Sequence, residues 1–236
     1  MVAETLRRIG PLRVLAESMH GGLGKGNMGV IAARAGVGKS ACLVQFALDA
    51  LLRGQQTLHV ALDHPVAHVR QWYDEILDEA ARLGLLKVSS GDRLELERLR
   101  NIQSFLDRGF SAARLGQALD FLDENMDFKP TTIVIDGLDL EKAGADQIAA
   151  LKVLAREKNV ELWLSALTHR HQPPDQQLGM PQPIARLAEH FSVVIKLRPE
   201  ADKVLIELLK DHDEQMPGSP PLRLDPITML LVEQDV

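Results

Sequence analysis

The chain has 236 residues, 45% apolar and 25% charged, which is material for one α/β domain with a substantial core. A formal charge of −6 and an aromatic content of 4% argue against a broad polyphosphate-binding face or an aromatic platform for single-stranded nucleic acid. The lone cysteine, Cys42, excludes an intrachain disulfide, and no apolar run approaches the ~18 residues that cross a bilayer; the expectation is a reducing, cytoplasmic setting without membrane contact.

Residues 1–28 read as a lead-in: an amphipathic stretch (Leu6, Ile9, Leu12, Val14, Leu15), then the glycine-rich run Gly21-Gly22-Leu23-Gly24-Lys25-Gly26. Residues 29–236 read as a single domain. Gly29–Ala33 is a short apolar run suited to a strand covered on both faces. The helix expected over 39–53 is apolar nearly all round, with Gly54 as its stop and Cys42 as a buried small hydrophobe. Thr57–Leu62 reads as a second buried strand, followed by a helix from Pro65 carrying Val69, Tyr73, Ile76 and Leu77 at helical spacing. A strand is expected near Asn101–Phe105 and a helix after the cap Ser111. Thr131–Asp136 is the clearest strand, followed by a helix over 147–158 and a strand over Val160–Leu167. A long loop spans 169–183. Two strands (193–197 and 204–210), a second loop (211–221) and a last strand near Met229–Val232 suggest an antiparallel extension. Trp72 and Trp163 fall in apolar patterns and are expected in the core.

The turn Ala35-Gly36-Val37-Gly38-Lys39-Ser40, between a strand and a helix, carries the phosphate-binding pattern. Amides from Ala35 to Ala41 would face an anion, Lys39 would reach the β- and γ-phosphates, and Ser40 would ligate magnesium. The first glycine of the pattern is Ala33 here, so ordinary backbone angles are expected at that position. Asp136 ends a hydrophobic strand and is the expected carboxylate for a water-bridged magnesium, with Asp139 as the substitute. Asp63, ending the second strand, is the candidate that orients the attacking water; its alternative is to cap the helix at Pro65. His64 reads as a surface residue. His169, Arg170 and His171 lie at the ligand end of the sheet, with Arg170 the one suited to contact phosphate, a partner subunit or nucleic acid.

Gly21-Gly22-x-x-x-Gly26, the turn 33–40, Ala61-Leu62-Asp63, Ile133–Asp136 and the helix Leu151-Lys152-x-Leu154-Ala155-Arg156-Glu157 followed by Leu164-Ser165-Ala166-Leu167 resemble RecA-superfamily ATPases. The nearest likeness is to the replicative-helicase and circadian-clock branches, over roughly residues 18–233. The resemblance implies a three-layer P-loop NTPase of RecA-like fold, with a mostly parallel central sheet and a C-terminal antiparallel extension. It also implies ATP and Mg2+ as cofactors and assembly into rings or filaments, or with a protein partner. In that family a glutamate stands where Asp63 does, a glutamine often stands at Ala166, and a Lys-x-Arg pair reaching a neighbour's ATP falls at Lys210 and His212. These three departures imply slow hydrolysis, so the leading reading is an ATPase core that couples nucleotide state to self-assembly or partner binding. A non-hydrolysing ATP-binding module is the alternative. A DNA-dependent recombination or helicase-related motor is disfavoured by the acidic balance, and the missing Asn-Lys-x-Asp motif favours ATP over GTP.

Overall fold

Short runs of valine, isoleucine and leucine become central strands here because helices cover both of their faces. The computed structural model describes residues 10–105, 109–169 and 174–234; Leu6, Ile9, Arg170 and His171 lie outside them. The elements in chain order are α1 (Gly10–Ser18), β1 (Met28–Ala33), α2 (Lys39–Leu52), β2 (Thr57–Ala61), α3 (Val66–Arg82), α4 (Ser90–Leu99) and β3 (Arg100–Ser104). Then follow α5 (Ala112–Met126), β4 (Thr132–Asp136), α6 (Leu140–Glu157), β5 (Glu161–Leu167), the short α7 (Gln182–Ala185), β6 (Val193–Glu200), β7 (Lys203–Asp211), β8 (Glu214–Gly218), β9 (Leu222–Leu224) and β10 (Leu231–Glu233).

These strands form one sheet in the order β10-β9-β7-β6-β1-β5-β4-β2-β3, with β8 paired to β7. From β6 through β3 every pairing is parallel, whereas β7, β8, β9 and β10 pair antiparallel. The fold is therefore α/β with a mostly parallel central sheet and antiparallel strands at its C-terminal side. The loop expected over 211–221 is a correction: β8 (Glu214–Gly218) occupies its middle, because the turn at His212 and Asp213 folds the chain back onto β7. The last strand starts at Leu231, two residues later than expected, because Met229 takes a left-handed φ of 56°.

Side chains alternate across the sheet. Ile31, Val134 and Trp163 pack into the layer of α1–α4, while Val30, Ile133, Leu162 and Leu164 pack into the layer of α5–α7. Each fully buried valine or leucine contributes roughly 1.5–3 kcal/mol relative to exposure, so two such layers hold the sheet's central strands in register. Gly29 faces its register partner Trp163. A Cβ there would stand 2.5 Å from the indole, so only glycine leaves room for the ring, which also tilts against Phe46 at 4.7 Å. Trp163 is core, as expected. Leu12 and Leu15 of α1 join the same core cluster as α2. Helix α6 starts at Leu140, ahead of the expected 147, and is broken at Gly144 (φ 74°). Ser111 caps α5 by accepting from Arg114 N, and Gly54 stops α2 with φ 75°. Among the described residues, no helix is long and apolar enough to cross a membrane.

Candidate functional site

The C-terminal ends of β1, β2 and β4 meet at one edge of the sheet, where open α/β sheets receive ligands. After Ala33 the chain leaves β1 and turns into α2 at Lys39. Gly36 (φ 74°) and Gly38 (φ 111°) adopt left-handed angles that a side chain would oppose, while Ala33 stays in the strand with ordinary angles. Gly38 has a second reason to lack a side chain: a Cβ there would overlap Leu224 of β9. Cys42 N donates to Gly38 O at 3.0 Å, and it is the first amide of this junction to find a backbone acceptor. Among the described residues, the amides from Ala35 to Ala41 donate to no backbone group. Seven consecutive donors without a backbone acceptor thus stand at the positive end of a 14-residue helix, an arrangement able to receive an anion.

Lys39 sits in this turn with its Nζ donating to Arg34 O at 3.1 Å. Burial pulls its ammonium below the ordinary lysine range, and the charges of Asp136 and Asp63 pull it back upward. Both carboxylates therefore lie within electrostatic reach of Lys39. Asp136 is only 4% exposed, and its Oδ2 has no hydrogen-bond partner. A buried carboxylate oxygen without a donor is costly, and a metal-bound water is the kind of donor that satisfies it.

Asp63 does not cap α3, whose N-cap is Pro65 with no side-chain capping bond. Its carboxylate lies instead over Gly137, and it is half exposed, with His64 Nε2 3.6 Å from its Oδ1. Leu62 N bonds Asp136 O at 2.9 Å, which keeps the ends of β2 and β4 level. Gly137 N donates to Ser165 Oγ at 3.0 Å, which ties the same corner to β5. Asp139, the substitute for Asp136, caps α6 by accepting from the amides of Glu141 and Lys142, so its carboxylate is engaged away from the turn. Gly137 and Ser165 had no role in the sequence reading; the Asp-Gly step after a buried strand was the available signal.

Beside the turn lies a cavity of ≈ 770 Å³. Its floor is Gly36 and Gly38–Ala41, one wall is α3 with Trp72 and Ile76, and its rim is Ile227–Met229. Trp72 is half-buried: it packs against the core cluster, as expected, and also lines this cavity, where its ring meets His64 edge-on (4.9 Å) and His68 at a tilt (4.7 Å). His64 is thus part of an aromatic cluster, and its carbonyl accepts from Ser104 Oγ. The rim is rigid. Asp225 Oδ1 accepts from the amides of Ile227 and Thr228, both at 2.9 Å. Gln45, fully buried in α2, donates to Met229 O (2.9 Å) and accepts from Leu231 N (2.8 Å).

Lys210 and His212 lie elsewhere. Asp211 pairs with Val193 at the start of β6, so this end of β7 is at the sheet edge opposite Lys39. Lys210 Nζ donates to Ala188 O at 2.8 Å, and His212 bonds Asp211. Neither side chain reaches its own chain's phosphate turn. Ala166 is fully buried and offers no polar group to the site. His169 is exposed at the end of β5. Among the described residues no three His, Cys, Asp or Glu side chains gather to hold a metal by themselves. Cys42 is buried with its thiol pushed up to about 12, which leaves it inert. Compared with known proteins, the chain matches no family model and no curated sequence.

Proposed function

We propose that this chain is a RecA-like ATPase core that binds magnesium–ATP at residues 35–41, hydrolyses it slowly, and couples the bound state to self-association or a protein partner. The observation that carries the reading is the run of unpartnered amides from Ala35 to Ala41 around Lys39, level with the orphaned Oδ2 of Asp136. An anion in that turn satisfies donors that otherwise face only water. The parallel sheet, with the turn and both carboxylates on one edge, supports the RecA-like assignment.

Each residue then has a physical task. Lys39 exchanges Arg34 O for a phosphate oxygen, a stronger, charge-assisted acceptor. Ser40 Oγ and, through water, Asp136 Oδ2 are the groups that would hold magnesium, which when bound neutralises the triphosphate oxygens. Asp63 accepts the proton of the attacking water and orients it. The cavity's size falls within the ~300–1,000 Å³ of small-molecule sites, and Trp72 offers a nucleoside one apolar wall.

Slow turnover is supported by the buried Ala166 and by the position of His212, which is bonded to Asp211 at the far edge. The same Ala166 favours a second reading, a nucleotide-binding module without meaningful hydrolysis. Calorimetry and single-turnover hydrolysis test both. The parent chain is expected to bind magnesium–ATP and to quench Trp72 fluorescence, while Lys39→Ala loses about 3 kcal/mol, or ~100-fold in affinity. Equal affinity in Lys39→Ala would refute the site. Tight binding without detectable hydrolysis would select the module.

A further inference from the structure

Asp211 ends β7 and is 1% exposed, yet among the described residues no lysine or arginine pairs with it. Two histidines close on its carboxylate instead. His20 Nδ1 meets Oδ2, and His212 Nδ1 meets Oδ1 at 2.7 Å. His212 Nε2 in turn lies 3.2 Å from Leu23 O. His212 thus joins the β7–β8 turn to Leu23 of the lead-in. His20 (φ 49°) and His212 (φ 52°) also hold left-handed backbone angles, which cost a non-glycine residue about 1 kcal/mol or more. The contacts to Asp211 offset that strain.

The two histidines belong to different parts of the chain. His20 follows α1 and precedes the Gly21-Gly22 turn, whereas His212 sits in the turn between β7 and β8. We propose that His20, Asp211 and His212 form a proton-gated latch, closed while the His20 imidazole is charged, that fastens residues 10–23 to the β7–β8 hairpin and lets them loosen as that proton leaves.

The surroundings favour this direction. The hydrogen bond and charge of Asp211 hold the His20 imidazole above its ordinary 6.5, with Glu214 of β8 adding to the effect. A group raised in the folded state stabilises fully below its unfolded value and loses that contribution as pH rises through the folded one. Asp213 faces Lys210, whose ammonium is spent on Ala188 O. On α1 itself Arg13 and Glu17 pair with each other on the exposed side. Beneath α1 a cavity of ≈ 70 Å³ is lined by Asp49 and Arg53 of α2 and Glu161 of β5. Burial holds Glu161 above the usual carboxylate range, and Lys25 and Arg53 oppose this.

The latch is independent of nucleotide, so it can fail while the ATP reading stands, and the reverse. Hydrogen exchange of the full chain, corrected for intrinsic rates, tests it without nucleotide. Between about pH 6 and about pH 9, protection of amides 12–23 is expected to fall about tenfold while that of β4 holds. His20→Gln, an exposed and structurally mild change, should lower protection at the acidic end and remove most of this pH dependence. Asp211→Asn should do the same. Equal protection of 12–23 at both pH values in the parent, or an unchanged pH profile in His20→Gln, would overturn the latch.

Discussion

The carboxylate of Asp63 occupies the space above Gly137 that a side chain at position 137 would fill: a Cβ there would lie 2.5 Å from Asp63 Oδ1 and 2.7 Å from its Cγ. Gly137 also holds φ 88°, so the backbone and the neighbour both require glycine. Gly137→Ala should therefore push Asp63 away from the corner beside Asp136. The expected outcome is a stability loss of roughly 1–2 kcal/mol from the left-handed alanine. Turnover should fall at least about tenfold, with magnesium–ATP affinity held within ~threefold. Denaturant melts, calorimetry and single-turnover rates check the three parts; an unaltered rate would remove Asp63 from the chemistry.

Gln45 is a fully buried polar residue of α2, and both ends of its amide bond the segment 229–231. Gln45→Leu preserves volume but leaves Met229 O and Leu231 N without partners. Each buried group left unpaired costs about 1–3 kcal/mol, so a loss of roughly 2–4 kcal/mol in urea denaturation is expected. Magnesium–ATP should also bind more weakly, because the rim Ile227–Met229 loses its tie to α2. A variant as stable as the parent would show that the rim is held by packing of Leu224 and Leu230 alone.

His59 lies on β2, fully buried, with Nδ1 3.0 Å from Tyr73 Oη and its Nε2 without a partner. Burial, opposed by Asp136 and helped by Arg100, holds its imidazole down at about 4. The unfolded chain takes up this proton near 6.5, so the contribution of neutral His59 is complete above that pH and lost as pH falls toward 4. Its share of acid destabilisation across that window is about 3 kcal/mol. Urea midpoints measured from about pH 7 to about pH 4 should therefore fall less steeply in His59→Gln than in the parent.

The strands were legible because burial on both faces writes a short, continuous apolar run, as in Thr132–Asp136, that polar loops interrupt. The phosphate turn was legible for a local reason as well: two glycines, a lysine and a serine between a strand and a helix dictate left-handed angles and a helix start without help from distant residues. Asp136 stood out as the carboxylate that ends the clearest of these strands.

What the sequence by itself determined, then, was the parallel core and the glycine-rich strand-to-helix turn with Lys39 at its end, since each depends on neighbours within a few positions. Only the tertiary structure decided which distant groups share a corner. It set Asp63 on Gly137 rather than on the end of α3, brought Trp72 to the cavity, laid Leu224 against Gly38, and carried His212 to the edge opposite Lys39. Those relationships arise from strand order and from where the C-terminal hairpins fold back, and long-range pairing leaves no periodic trace in the local sequence.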